Sequence, residues 1–98
     1  MDRRTVIDTL REHQPELKAR GAEALYLFGS VARDEASKNS DIDLFFERPA
    51  DRPFTLFDLA GLRERLEILL KAKVDLMTRQ AIHPRRRARI EADAVRVF

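Results

Sequence analysis

The sequence predicts an α/β (α+β) fold, a small β-sheet flanked by helices, and three observations carry that reading. Helical and strand-like patterns alternate along the chain in the order helix, strand, short helix, strand, helix, strand, helix. The chain has 98 residues, 44% of them hydrophobic, which is enough for one modest core and too few for two, so 1–98 reads as a single domain. Charged residues make up 37%, well above the usual quarter or so. The result is a thin interior in a heavily solvated shell, to which an oligomer or a partner could add stability.

Each element has a local cause. Over Asp2–Arg20, Val6, Ile7, Leu10 and Leu17 recur at helical spacing. Pro15 should break or restart that helix, because it lacks an N–H and clashes with the preceding turn. Gly21 suits the residue just past its end. Ala22–Phe28 contains the apolar run Leu25-Tyr26-Leu27-Phe28, short and aromatic, as a buried strand would be. The switch to a short helix falls at Gly29-Ser30, and Lys38-Asn39-Ser40 forms a polar turn. Asp41–Glu47 is a second strand, with Ile42, Leu44 and Phe46 on one face and Asp41, Asp43 and Phe45 on the other. After a Pro49–Pro53 loop, Thr55 is a good N-cap with Asp58 three residues on, and Phe54 and Leu59 can form a hydrophobic staple. Leu59, Leu62, Leu66 and Leu69 form the apolar stripe of the helix that follows; nothing in the pattern explains Gly61 within it. Lys73–Thr78 is a third strand, Pro84 opens a last short helix, and Val95, Val97 and Phe98 form an extended tail.

Some classes are excluded early. No apolar run approaches the ~18 residues of a membrane span. The first twenty residues lack the apolar stretch of a secretion signal, so the chain is read as cytoplasmic. With no cysteine, disulfides and thiolate metal sites are ruled out. A formal charge of +2 does not by itself predict nucleic-acid binding. Its distribution suggests one basic face, around Arg85, Arg86, Arg87 and Arg89, and a separate acidic pocket near Asp41 and Asp43.

The chemistry concentrates in three carboxylates and a Gly-Ser pair. Asp41 and Asp43 lie two apart on a strand and share a face. Asp75, between Val74 and Leu76, joins them if the third strand lies beside the second. Three such charges repel strongly away from water. A hard divalent cation such as Mg²⁺, which takes carboxylate and phosphate oxygens, relieves the conflict. Gly29-Ser30 at a strand-to-helix junction offers backbone N–H groups and a hydroxyl to a phosphate. Together these suit a nucleoside triphosphate with Mg²⁺, with two metals stabilising the attacking and leaving oxygens.

Gly29-Ser30, ten intervening residues and Asp41-Ile42-Asp43 resemble the signature of the DNA polymerase beta nucleotidyltransferase superfamily. The longer strings LFGSVARDEASKNSDIDLFF, FTLFDLAGLRERLEILL and KVDLMT are similar to its minimal nucleotidyltransferases. The resemblance runs from about Ala24 to Val97. It implies a small mixed sheet flanked by helices, with metals held by Asp41, Asp43 and Asp75 and the triphosphate held by Gly29 and Ser30. Asp75 would complete the site and help activate the nucleophile. Arg33 and Ser40 join the nucleotide-binding candidates. The implied activity is Mg²⁺-dependent transfer of AMP from ATP to a tyrosine of a HEPN-domain toxin, an RNase that the transfer silences. The alternative is an antitoxin that neutralises its partner by binding alone. At one position, Asp34, many relatives have glycine.

Other features have simpler readings. Arg33 pairs either with a phosphate or with Asp34 and Glu35. His13 and His83 are surface residues, and a zinc site has little support. Tyr26, in the buried first strand, is a poor target for self-modification. The Arg85–Arg89 run is a solvated face or a docking surface for an acidic partner. Without interleaved aromatics it makes a weak single-strand nucleic-acid site.

Overall fold

The computed structural model describes residues 2–37 and 39–98; Lys38 of the expected Lys38–Ser40 turn lies outside them. The predicted first helix is two helices. α1 (Arg3–Glu12) starts at Asp2, whose carboxylate accepts the Thr5 N–H at 2.8 Å, and buries Val6, Ile7 and Leu10. α2 (Gln14–Ala19) places Pro15 in its first turn, where a missing N–H costs no helical hydrogen bond. Gly21 follows at φ +112°, and a side chain there would collide with the Phe54 ring.

β1 (Ala24–Phe28), β2 (Ile42–Glu47), β3 (Val74–Thr78) and β4 (Val95–Arg96) form a mixed sheet in the order β3-β2-β1-β4. β1 is antiparallel to both β2 and β4, and β2 is parallel to β3. The C-terminal tail is thus an edge strand. It is extended by bonds from Val97 N to Leu25 O at 2.8 Å and from Leu25 N to Phe98 O at 3.1 Å.

α4 (Leu56–Leu70) begins with the expected capping box, in which Thr55 and Asp58 each accept the other's backbone N–H. Its buried residues are Leu62, Leu66 and Leu70, with Leu59 and Leu69 packed at the margin. They meet Leu25, Leu27, Ile42, Leu44, Phe46 and Val74 on one face of the sheet, together with Val6 and Leu10 of α1.

The opposite face is covered as well. Phe28 and Phe45 pack there against Ile82 and Ile90, the latter from α5 (Pro84–Asp93). Phe45 therefore shares its face with Asp43 yet is fully buried. Cover on both faces is why ALYLF and the LFF of β2 read as continuous apolar runs. A short 3₁₀ turn, Arg79–Ala81, links β3 toward α5. Among the described residues no helix is long and apolar enough to cross a membrane.

Candidate active site

The site follows from the strand register. Asp43 of β2 lies opposite Asp75 of the parallel β3 and opposite Phe28 of the antiparallel β1. α3 (Gly29–Ala32) begins directly after Phe28, so its first residue arrives beside the Asp43 carboxylate. Gly29 is required there for two reasons. Its φ is +75°, and a Cβ would fall on Asp43 Oδ2. No side chain caps α3, which leaves the N–H groups of its first turn without that competitor.

Asp41 is exposed and just precedes β2, which starts at Ile42 rather than at Asp41. It still acts on Asp43. Burial, then the charge of Asp75, then that of Asp41 push the Asp43 carboxyl up from 3.8 to about 6, and Arg33 eases it in part. Among the described residues, none of the three carboxylates has a hydrogen bond or ion pair, whereas Asp34, Glu35 and Asp93 all have an arginine partner. A cluster of like charges with no ion-pair partner among the described residues suits a hard cation. No three carboxylate or imidazole groups among the described residues lie close enough to hold one unaided. Asp43 and Asp75, in register on neighbouring strands, offer two carboxylates to a metal whose other positions go to phosphate and water.

Gly29, Ser30, Arg33, Asp43 and Asp75 line one hollow of about 410 Å³. Ser40 is not among its walls. It lines a separate depression with Val31 and Leu70, and its Oγ accepts the Ser37 N–H at 2.9 Å. Arg33 donates to Glu35 at 3.1 Å and to Asp93 at 2.6 Å. Of the alternatives for Arg33, the pairing with Glu35 is seen and that with Asp34 is not. Asp34 accepts the Arg3 backbone N–H at 3.1 Å, away from the hollow. Its φ of +55° is a left-handed conformation that glycine adopts without strain and other residues rarely do.

The opposite wall of the hollow was not expected from the sequence. His83, Arg86, Arg89, Ile90 and Asp93 line it, so the basic segment and the acids share one site, correcting the separation into a basic face and an acidic pocket. The physical reason is Ile90. Burying it under Phe28 and Phe45 fixes the rotation of α5, and Arg86 and Asp93, about one turn before and after it, then line the hollow that holds Asp43. Residues 83, 86, 90 and 93 recur at helical spacing around that isoleucine, which is the one signal the sequence carried. His83 Nδ1 meanwhile accepts the Arg85 N–H and caps α5.

Comparison with known proteins identifies the family of the chain. The model of the family described as "Nucleotidyltransferase domain" matches residues 4–97. A relative from Methanocaldococcus jannaschii, named "Putative protein adenylyltransferase MJ0126", is 38% identical over 90 residues, 90% of each chain. A solved structure described as a "putative minimal nucleotidyltransferase" superposes with a TM-score of 0.72 at 35% identity, covering 97% of this chain and 95% of the other. The fold is shared with a solved complex of a tri-AMPylated Shewanella oneidensis HEPN toxin with an MNT antitoxin. That match has a TM-score of 0.64 at 16% identity, over 90% of this chain and 68% of the other.

Proposed function

This chain belongs to the nucleotidyltransferase domain family, and from that premise we propose that its hollow transfers AMP from ATP to a tyrosine hydroxyl of a HEPN toxin, silencing it as an antitoxin does. The observation that carries the reading is the contact between the Gly29 backbone and the Asp43 carboxylate, with Asp75 in register beside it. One element meets phosphate and the other meets the cation that travels with it.

Asp41, Asp43 and Asp75 would hold Mg²⁺, two ions in the reading favoured here, which supplies charge neutralisation and polarises the α-phosphate. Gly29 and Ser30 hold the triphosphate, Gly29 by letting its backbone approach closely and Ser30 by its hydroxyl. The acceptor oxygen attacks the α-phosphorus, the bond from that phosphorus to the bridging α–β oxygen breaks, and pyrophosphate leaves. Asp75, more exposed than Asp43, takes the acceptor's proton. Catalysis here is mainly positioning and electrostatics. In this reading a protein acceptor supplies the rest of the site at the mouth of the hollow.

The test is the intact mass of the co-expressed partner, with this chain either unaltered or carrying Asp41→Asn/Asp43→Asn. A gain in whole AMP units that disappears with the double variant supports the transfer. A partner that stays unmodified yet is neutralised would replace it with neutralisation by binding.

A further inference from the structure

We propose that Arg86 and Arg89 of α5 form the clamp for the polyphosphate end of the nucleotide, for which the sequence offered Arg33 as one candidate. The inference rests on the transfer reading above and adds a binding surface to it. Arg33 faces the hollow but is committed, since its guanidinium is shared between Glu35 and Asp93. Arg86 and Arg89 line the same hollow and make no ion pair or side-chain hydrogen bond among the described residues.

They also lie more than an ion-pair distance from the acids. Neither comes within 4.0 Å of Asp43 or Asp75, and Arg33 is the cation that eases the Asp43 carboxyl. The hollow therefore holds two unneutralised charge groups on facing walls, carboxylates on β2 and β3 and guanidinium groups on α5. A ligand that satisfies both carries a cation at one end and a multiply charged anion at the other. A nucleoside triphosphate with its metal has that charge order. Guanidinium forks match phosphate oxygens two at a time. Residues three apart on a helix are neighbours, so one polyphosphate can bridge both. The α-phosphorus reacts beside the carboxylates, which puts the β- and γ-phosphates toward the arginines. Ile90, buried on the same helix, holds the clamp in place.

The experiment is calorimetric titration of the chain with tripolyphosphate and, separately, with AMP, in EDTA so that no metal contributes. The unaltered chain is compared with Arg86→Gln/Arg89→Gln and with Arg85→Gln, an exposed arginine of the same helix outside the hollow. The double variant should bind tripolyphosphate at least about tenfold more weakly, AMP less than about threefold more weakly, and Arg85→Gln should stay within about twofold for both. Tripolyphosphate binding that survives the double variant, or that the unaltered chain lacks, overturns the inference. An equal loss of AMP binding overturns the assignment to the β- and γ-phosphates. Loss of partner association with tripolyphosphate binding intact would reassign the arginines to an acidic protein surface. Failure here with a modified partner overturns the clamp alone. A working clamp with a partner that is never modified overturns the transfer alone.

Discussion

Replacing Asp43 with asparagine should stabilise the metal-free protein at neutral pH while abolishing the proposed transfer. The Asp43 carboxyl is pushed from 3.8 to about 6 by burial and by Asp75 and Asp41. Below 3.8 both folded and unfolded chains hold the proton, and the group costs nothing. As pH rises toward about 6 the unfolded chain releases its proton first, so stability falls across that interval and then levels off. The full gap corresponds to about 3 kcal/mol. Asp43 is only partly buried, and solvent screening reduces the loss to about 1–2 kcal/mol. Asparagine has nearly the same shape and no charge to desolvate. A domain of this length shifts by about 4–8 °C per kcal/mol, so Asp43→Asn should melt about 5–15 °C above the unaltered chain near pH 8 in EDTA. The difference should shrink to about 2 °C or less near pH 4. Circular-dichroism melts at both pH values measure it. Equal melting near pH 8, or the same gap at both pH values, would refute the electrostatic argument. Millimolar Mg²⁺ should raise the melting temperature of the unaltered chain and leave that of the variant in place.

Three further outcomes are expected. Gly29→Ala forces a methyl group into the Asp43 carboxylate at a φ of +75° and should cost about 2–4 kcal/mol with loss of transfer, read by urea unfolding and partner mass. Leu66→Ala empties a fully buried site beneath the sheet and should cost about 2–5 kcal/mol, while transfer by the folded fraction persists. Asp34→Gly relieves the strained φ of +55° but gives up an exposed pairing with Arg3. Its stability should stay within about 1 kcal/mol of the parent, with transfer unchanged in the partner-mass assay.

Much of this arrangement was legible in the sequence because its causes are local. The capping box at Thr55, the prolines that open α2 and α5, the glycine between β1 and α3 and the alternation of Asp43 with Ile42 and Leu44 each depend on neighbours a few residues away. What escaped depends on distant partners. The ion pair of Arg33 with Asp93 spans sixty positions. The run of arginines near the C-terminus says nothing about which sheet face its helix crosses, and only the burial of Ile90 decides that. Phe45 shares the face of Asp43, and its alternation gives no hint that α5 covers it. Asp41 was placed in the strand by period alone, although pairing begins at Ile42.

The Gly29–Asp43 contact also bears on how such a chain can change over generations. Positions fourteen apart in sequence compete for one volume, so 29 is not free to vary first. A side chain at 29 is tolerated only after 43 has shrunk, and shrinking 43 removes the carboxylate. A longer acid at 43 presses on the backbone of 29. Drift at 29 therefore meets a barrier, and a lineage leaves this state by losing the carboxylate of 43 first. Within related chains a side chain at 29 should appear only where the acid at 43 has gone.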